Sequence, residues 1–396
     1  MNNNLIFHSP LIPSLQNKVD TAYWDTVLKL YEEKNYTETV RGVIRYLNPE
    51  MENKNGNPGK TRYEIPHGSI IVNIEIGEEK LKIDAPFLSV TGSKLVPLLR
   101  QASQINFSPL TLSNIYLQNE QLHFIYECPL DLCEPLKVYD ILREICINAD
   151  NYDDEFISKF NAVRINEPRI RPYDPAKTEK AWEITQQYIL EAATAYEQLE
   201  SKRLNQFLWD LLVITLLKID LLCAPQGNLR GDIEKNIAYL NSKDDYYQRL
   251  NSGREFLKRL QTMPKENFIK DLYAIDVFVP YKYFTNADGV RSQLKYAYET
   301  ASNERKANDH MGAVFTMAYG ILLLFYNNTV EETVAGILIK ALENSSGKLW
   351  PEASQILYDA LHEVMTNKTL QKKRVPEGAD KRNESKKGFF EKLFGI

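Results

Sequence analysis

The stretch INEPRIRPYDPAK, from Ile165 to Lys177, limits what this chain can fold into more than any other. Pro168, Pro172 and Pro175 follow one another closely, with Arg164, Arg169 and Arg171 beside them. Each proline lacks an amide donor and has a fixed φ, so neither a helix interior nor a central strand can run through the segment. The chain is therefore expected to divide here, with residues 164–177 as a linker. Length points the same way: 396 residues exceed the roughly 250–300 at which a single core stops growing.

On the N-terminal side of the prolines, short helical and two-residue periods alternate. After an extended leader (1–19), Asp20 stands where a helix cap would, and Tyr23, Trp24, Val27, Leu28 and Tyr31 follow at helical spacing. Asn35 interrupts the pattern, which resumes through Val40, Val43, Ile44 and Leu47 until Asn48-Pro49 stops it, predicting a helical hairpin. The polar run MENKNGNPGK (51–60) reads as a loop. Next, Ile70, Val72, Ile74 and Ile76 alternate with other residues, Gly77-Glu78-Glu79 turns, and Leu81, Ile83 and Ala85 alternate again, predicting a β-hairpin. A helix is expected over Lys94 to Ile105 with Leu95, Leu98, Leu99 and Ala102 on one face. A second hairpin follows at Ile115–Leu117 and Leu122–Tyr126, then a long helix from Leu136 through Phe156 and Phe160. Residues 20–163 are thus an expected α+β domain, helices packed on a small antiparallel sheet.

That order of elements resembles the class I type III secretion chaperone-like fold shared with YbjN-type proteins. The likeness is carried by the alternating run Ser69 to Val90, the short helix near Leu95, the hairpin Asn114 to Cys128 and the long helix from Leu136. The resemblance implies a non-enzymatic role, often as a dimer, in which a client segment is held against a sheet edge or helix surface by strand addition.

Beyond the prolines almost everything has a helical period, so 178–365 is expected to be an all-α domain of nine helices, with joints at Pro225, Gly227, Pro264, Pro280, Gly289, Gly347 and Pro351. The uncharged run Met311 to Tyr326 falls short of the roughly 20 apolar residues that a bilayer requires and reads as a buried helix. The rest, 366–396, is a flexible basic tail: from Thr366 on, nine Lys and Arg face four acids, and the end reads KKGFFEKLFGI. On a helix Phe389, Phe390, Leu393 and Phe394 share one side. Such a plug can insert into a groove on a partner, lie weakly on an anionic membrane surface, or pack on its own domain.

Little in the chain points to catalysis. A formal net charge of −5 opposes a whole-protein grip on nucleic acid. Gly56-Asn57-Pro58-Gly59-Lys60-Thr61 ends like a phosphate loop, but the glycine spacing is short, Pro58 removes a donor, and a strand rather than a helix is expected next. His8, His67, His123, His310 and His362 lack ligand spacing, and Cys128, Cys133, Cys146 and Cys223 form no CxxC pair. Cys128 and Cys133 bracket a turn where either packing thiols or a redox switch could stand. The stretch YAIDVFVPYKYF, Tyr273 to Phe284, carries more tyrosine than a core needs. Tyr273, Phe278, Tyr281, Tyr283 and Phe284 are therefore candidates for a peptide-binding or inter-domain surface.

The resulting expectation is a cytoplasmic, non-enzymatic chaperone or assembly adaptor without cofactor or metal, whose partners are other proteins and which dimerises if the resemblance carries over. The alternatives are a structural or regulatory subunit of a larger bacterial assembly, or an enzyme whose carboxylates the sequence does not pair.

Overall fold

In the computed structural model, which describes residues 5–12 and 21–367, the N-terminal half opens with α1 (Thr21–Glu32) and α2 (Tyr36–Leu47), turned on Lys34 at positive φ. Val40, Val43, Ile44 and Leu47 fall at helical spacing and bury one face of α2. Asn48 then accepts the Met51 amide and Pro49 takes the first position of a third helix, α3 (Pro49–Asn55). The loop expected from Met51 thus begins as two helical turns, because Asn-Pro is a cap followed by a residue preset for a helix start.

Six strands form one sheet: β1 (Arg62–His67), β2 (Ile70–Ile76), β3 (Lys80–Ser89), β4 (Asn114–Gln118), β5 (Gln121–Pro129) and the two-residue β6 (Val163–Arg164). The antiparallel order is β1-β2-β3-β5-β4, with β6 on the end of β3. β1 was not expected from the sequence. Its Tyr63, Ile65 and His67 alternate inward, and Pro66 is tolerated because β1 lies at the sheet edge. Between strands stand α4 (Leu95–Phe107) and the 26-residue α5 (Pro135–Phe160), whose Val138, Ile141, Leu142, Ile145 and Phe156 cover one sheet face. Phe87 joins β3 to this core, its ring 5.1 Å from Phe124 and 5.8 Å from Phe156.

The three prolines mark the change from sheet to helix, yet the segment is not a free tether. Arg164 pairs onto β3, and β7 (Arg171–Pro172) pairs with β8 (Tyr273–Ala274). Pro175 starts α6 (Pro175–Ser201), where Asp174 accepts the Ala176 and Lys177 amides. The all-α half continues through α7 (Leu208–Cys223), α8 (Gly227–Leu240), α9 (Tyr246–Thr262), α10 (Lys265–Ile269), α11 (Ala287–Lys306), α12 (His310–Asn327), α13 (Glu332–Ser345) and α14 (Trp350–Thr366). A two-stranded departure from helix, β9 (Tyr283–Thr285) beside β10 (Asn328–Val330), is parallel and was not expected.

α7 and α12 are apolar nearly all round, so both run through the middle of the second core. Gly320 allows α12 to close on α11, since a Cβ there would lie 2.7 Å from the Ala297 methyl. Among the described residues, α12 is the one helix long and apolar enough to cross a membrane, and over half of it is buried in the protein.

The fold is an α+β unit followed by an all-α unit, with two hydrophobic cores. Each core borrows from the far half of the sequence. Leu5, Phe7 and Ile12 of the leader are buried among the helices, and Phe278 and Val279 from the helical half are buried against the sheet.

Candidate protein-binding site

Residues Tyr273 to Thr285 cross from one core to the other, and their polar groups explain the path. Asp276 accepts the Gly68 amide through its carbonyl and binds Arg171 at 2.7 Å through its carboxylate. His67, fully buried at the end of β1, accepts the Phe278 amide at Nδ1 (3.1 Å), so the ring proton sits on Nε2, 3.6 Å from Asp150. Arg143 of α5 donates to the Pro280 and Tyr281 carbonyls at 2.9 and 2.8 Å, and its guanidinium lies 3.9 Å from the Tyr283 ring centroid. Arg230 of α8 covers the Tyr281 ring at 3.2 Å, while Lys282 binds Asp220 at 3.1 Å.

The aromatic candidates of this stretch are therefore occupied within the chain. Phe278 is fully buried, Tyr273, Tyr281 and Phe284 are half-buried, and Tyr283 alone of the five is exposed, at 46%. The surplus of tyrosine serves the seam between the two cores, where the Tyr281 and Tyr283 rings lie against the Arg230 and Arg143 guanidinium groups. The other candidates, Phe389, Phe390, Leu393 and Phe394, lie outside the described residues.

Other sequence features also find internal partners. Lys60, the lysine of the loop-like GKT, binds Glu52 at 2.8 Å and Asn53 at 3.0 Å, and β1 follows it. Cys128 and Cys133 bring their sulfurs to 3.5 Å, and burial, with Cys128 beside it, pushes the Cys133 thiol above its ordinary range, away from a reactive thiolate. His123 bonds Asp84 at 2.8 Å, and His362 bonds the Tyr298 hydroxyl at 2.7 Å. Among the described residues no group of three His, Cys, Asp or Glu side chains is placed to hold a metal ion.

Both outer edges of the sheet are partly blocked to an added strand. In an antiparallel edge strand, alternate residues turn their backbone groups away from the sheet. In β1 these are Arg62, Glu64 and Pro66. The Arg62 carbonyl already accepts the Asn57 amide at 2.8 Å, the Glu64 carbonyl accepts the Asn55 side chain at 2.9 Å, and Pro66 has no N–H to offer. At β4, the Asn106 amide group stands where a partner strand would: its oxygen accepts the Ile115 N–H at 2.6 Å and its nitrogen donates to the Ile115 carbonyl at 2.9 Å.

That clamp ties α4 to β4, and several apolar side chains stand on their outer surface. Leu98, Ala102 and Ile105 are the buried face of α4, so the expected stripe through Leu95 is displaced by about one turn and Leu95 lies in solvent. Val96 is 63% exposed and Phe107 91%, and Leu117 of β4 is also exposed, whereas Tyr116, 59% exposed, points to the opposite face of the sheet. The sequence held a signal for this surface, because Val96 and Phe107 cannot share a helical face with Leu98 and Ile105. Compared with protein-family models, curated proteins and solved structures, the chain finds no match in any of the three.

Proposed function

We propose that this chain is a non-enzymatic chaperone or assembly adaptor that docks a partner protein on the α4–β4 face. The observation that carries the reading is the concentration of exposed apolar side chains there, above all Phe107 with 91% of its surface in solvent. Covering one such ring is worth roughly 1.5–3 kcal/mol, and a large apolar side chain left in solvent beside others is a natural contact for a partner. With both sheet edges partly occupied by the chain's own groups, recognition is assigned to side chains and not to an added strand. The topological likeness to secretion chaperones accords with a binding role, and four free, buried cysteines suit a reducing compartment such as the cytoplasm.

The test compares the full chain with a Val96→Glu/Phe107→Glu double variant in pull-downs from native lysate, read by quantitative mass spectrometry. Both side chains project into solvent, so melting should change by no more than about 0.5 kcal/mol. Partners lost from the variant support the reading, and fixed stoichiometry among them identifies an assembly subunit in place of a transient chaperone. Identical partner lists from two equally folded proteins sink the α4–β4 site.

A further inference from the structure

Residues 5–12 have no secondary structure of their own, yet from Ile6 to Ile12 the helical half accepts every backbone N–H. The Ile6 N–H donates to Glu191 (2.8 Å) and the Phe7 N–H to the Ser346 hydroxyl (2.9 Å). The His8 N–H donates to the Tyr188 hydroxyl (3.0 Å) and the Ser9 N–H to Glu343 (3.2 Å). Leu11 and Ile12 both donate to the Leu222 carbonyl at the end of α7, and the Leu5 carbonyl accepts the Gly347 amide at 3.2 Å. Only Pro10 in the run from Ile6 to Ile12 has no N–H to place.

Recognition of this kind reads an extended main chain. Four successive amides meet side-chain acceptors from α6, α13 and the joint after it, whereas the rest of the fold pairs its amides in helices and ladders. Side-chain selection is confined to a few pockets: Leu5, Phe7 and Ile12 are buried among the helices. The floor beneath is polar. Lys218 of α7, 2% exposed at its side chain, lies 2.9 Å from Glu191, and its ammonium sits 4.0 Å from the Tyr188 ring and 5.4 Å from that of Phe7. A buried ion pair is a poor filler for a permanent core, because desolvation offsets its attraction. The same pair gives an emptied cleft a surface that water can cover.

We propose that the cleft formed by α6, α7 and the joint between α13 and α14 is a binding site for an extended peptide, filled in cis by the chain's own leader and open to a leader-like segment of another polypeptide. The ligand is an extended segment with apolar residues at its first, third and eighth positions and free amides at the second to the fifth. This site lies on the opposite half of the chain from the α4–β4 face and does not depend on it.

The experiment uses the full chain with a protease recognition sequence placed within residues 13–20 and cut after folding. A fluorescent peptide of residues 1–12 is then titrated in and followed by anisotropy. Saturable entry is expected, weakened about tenfold or more by N-methylation at Ile6, which removes the amide bound to a carboxylate. Phe7→Asp in the peptide should abolish entry, and Pro10→Ala should leave it within about threefold, since Pro10 offers no N–H to the cleft and is not part of the core. The uncut chain, its cleft filled, should take up the peptide at least about tenfold more weakly. Should cutting unfold the protein, an uncut chain carrying Phe7→Asp in its own leader replaces it and should admit the wild-type peptide. The proposal is overturned if a folded protein with a cut or Phe7→Asp leader admits no labelled peptide, or if the N-methylated and Phe7→Asp peptides enter as readily as the native one.

Discussion

Asp153 concentrates the electrostatics of the seam into one side chain. It projects from α5 toward the β1–β2 turn, accepts the Ser69 hydroxyl at 2.7 Å and meets Arg164 at 3.3 Å. Burial, with Asp154 and Asp150 close by, raises its pKa to about 6 against the pull of Ser69 and Arg164. A raised carboxyl pKa means that the folded protein takes up its proton before the unfolded chain does. Above about pH 6 both states are ionised and the full penalty is present, and as the pH falls toward 4 the penalty is progressively relieved. In Asp153→Asn there is no proton to take up. The wild type should therefore gain about 1–3 kcal/mol relative to this variant between pH 7.5 and pH 4.5, measured by urea unfolding at each pH. Parallel pH profiles for the two proteins would remove Asp153 as the source.

Among elements, the edge strand β4 depends most visibly on one neighbour. Asn106 imitates a strand at Ile115, and Asn106→Ala leaves that N–H and carbonyl facing out beside Tyr116 and Leu117. A loss of about 1 kcal/mol is expected, since water can reach the freed groups, together with concentration-dependent self-association seen by analytical ultracentrifugation. A variant that is destabilised but stays monomeric would deny Asn106 its protective role. Elements with a strong period of their own were legible in the sequence: all nine expected helices beyond Thr178 have a counterpart, as do both hairpins. The misses have local causes. Polar MENKNGN concealed α3, and Pro66 concealed β1, since only the edge position makes that proline acceptable. The candidate surfaces were less legible, because whether an aromatic faces solvent depends on what packs over it. Phe278 and Phe107 look alike in sequence, and one is fully buried while the other is almost fully exposed.

For the molecule as a whole, the exchange of segments between the cores governs how it unfolds. The linker prolines suggest two units that melt separately, as domains joined by a small interface do. Against that, Phe278 and Val279 are rooted in the first core while the chain on either side belongs to the second, and the buried His67 fixes the crossing by a backbone bond. Opening the sheet core exposes these residues and releases Arg143 from the Pro280 and Tyr281 carbonyls, which loosens the segment whose Tyr281 ring lies under Arg230 of α8. Opening the helical core likewise frees the leader that runs on to α1. The four tryptophans report on both halves: Trp24 packs on Tyr46 of α2, whereas Trp182, Trp209 and Trp350 pack on Phe268, Tyr319 and Phe315. With fluorinated tryptophan, the four native fluorine resonances should therefore disappear at one common denaturant midpoint. Phe278→Ala, which leaves a cavity in the first core and should cost about 3–5 kcal/mol, should lower that midpoint for all four together. A Trp24 signal that shifts alone, with the three helical reporters unmoved, would show that the crossing segment bridges the cores without coupling them.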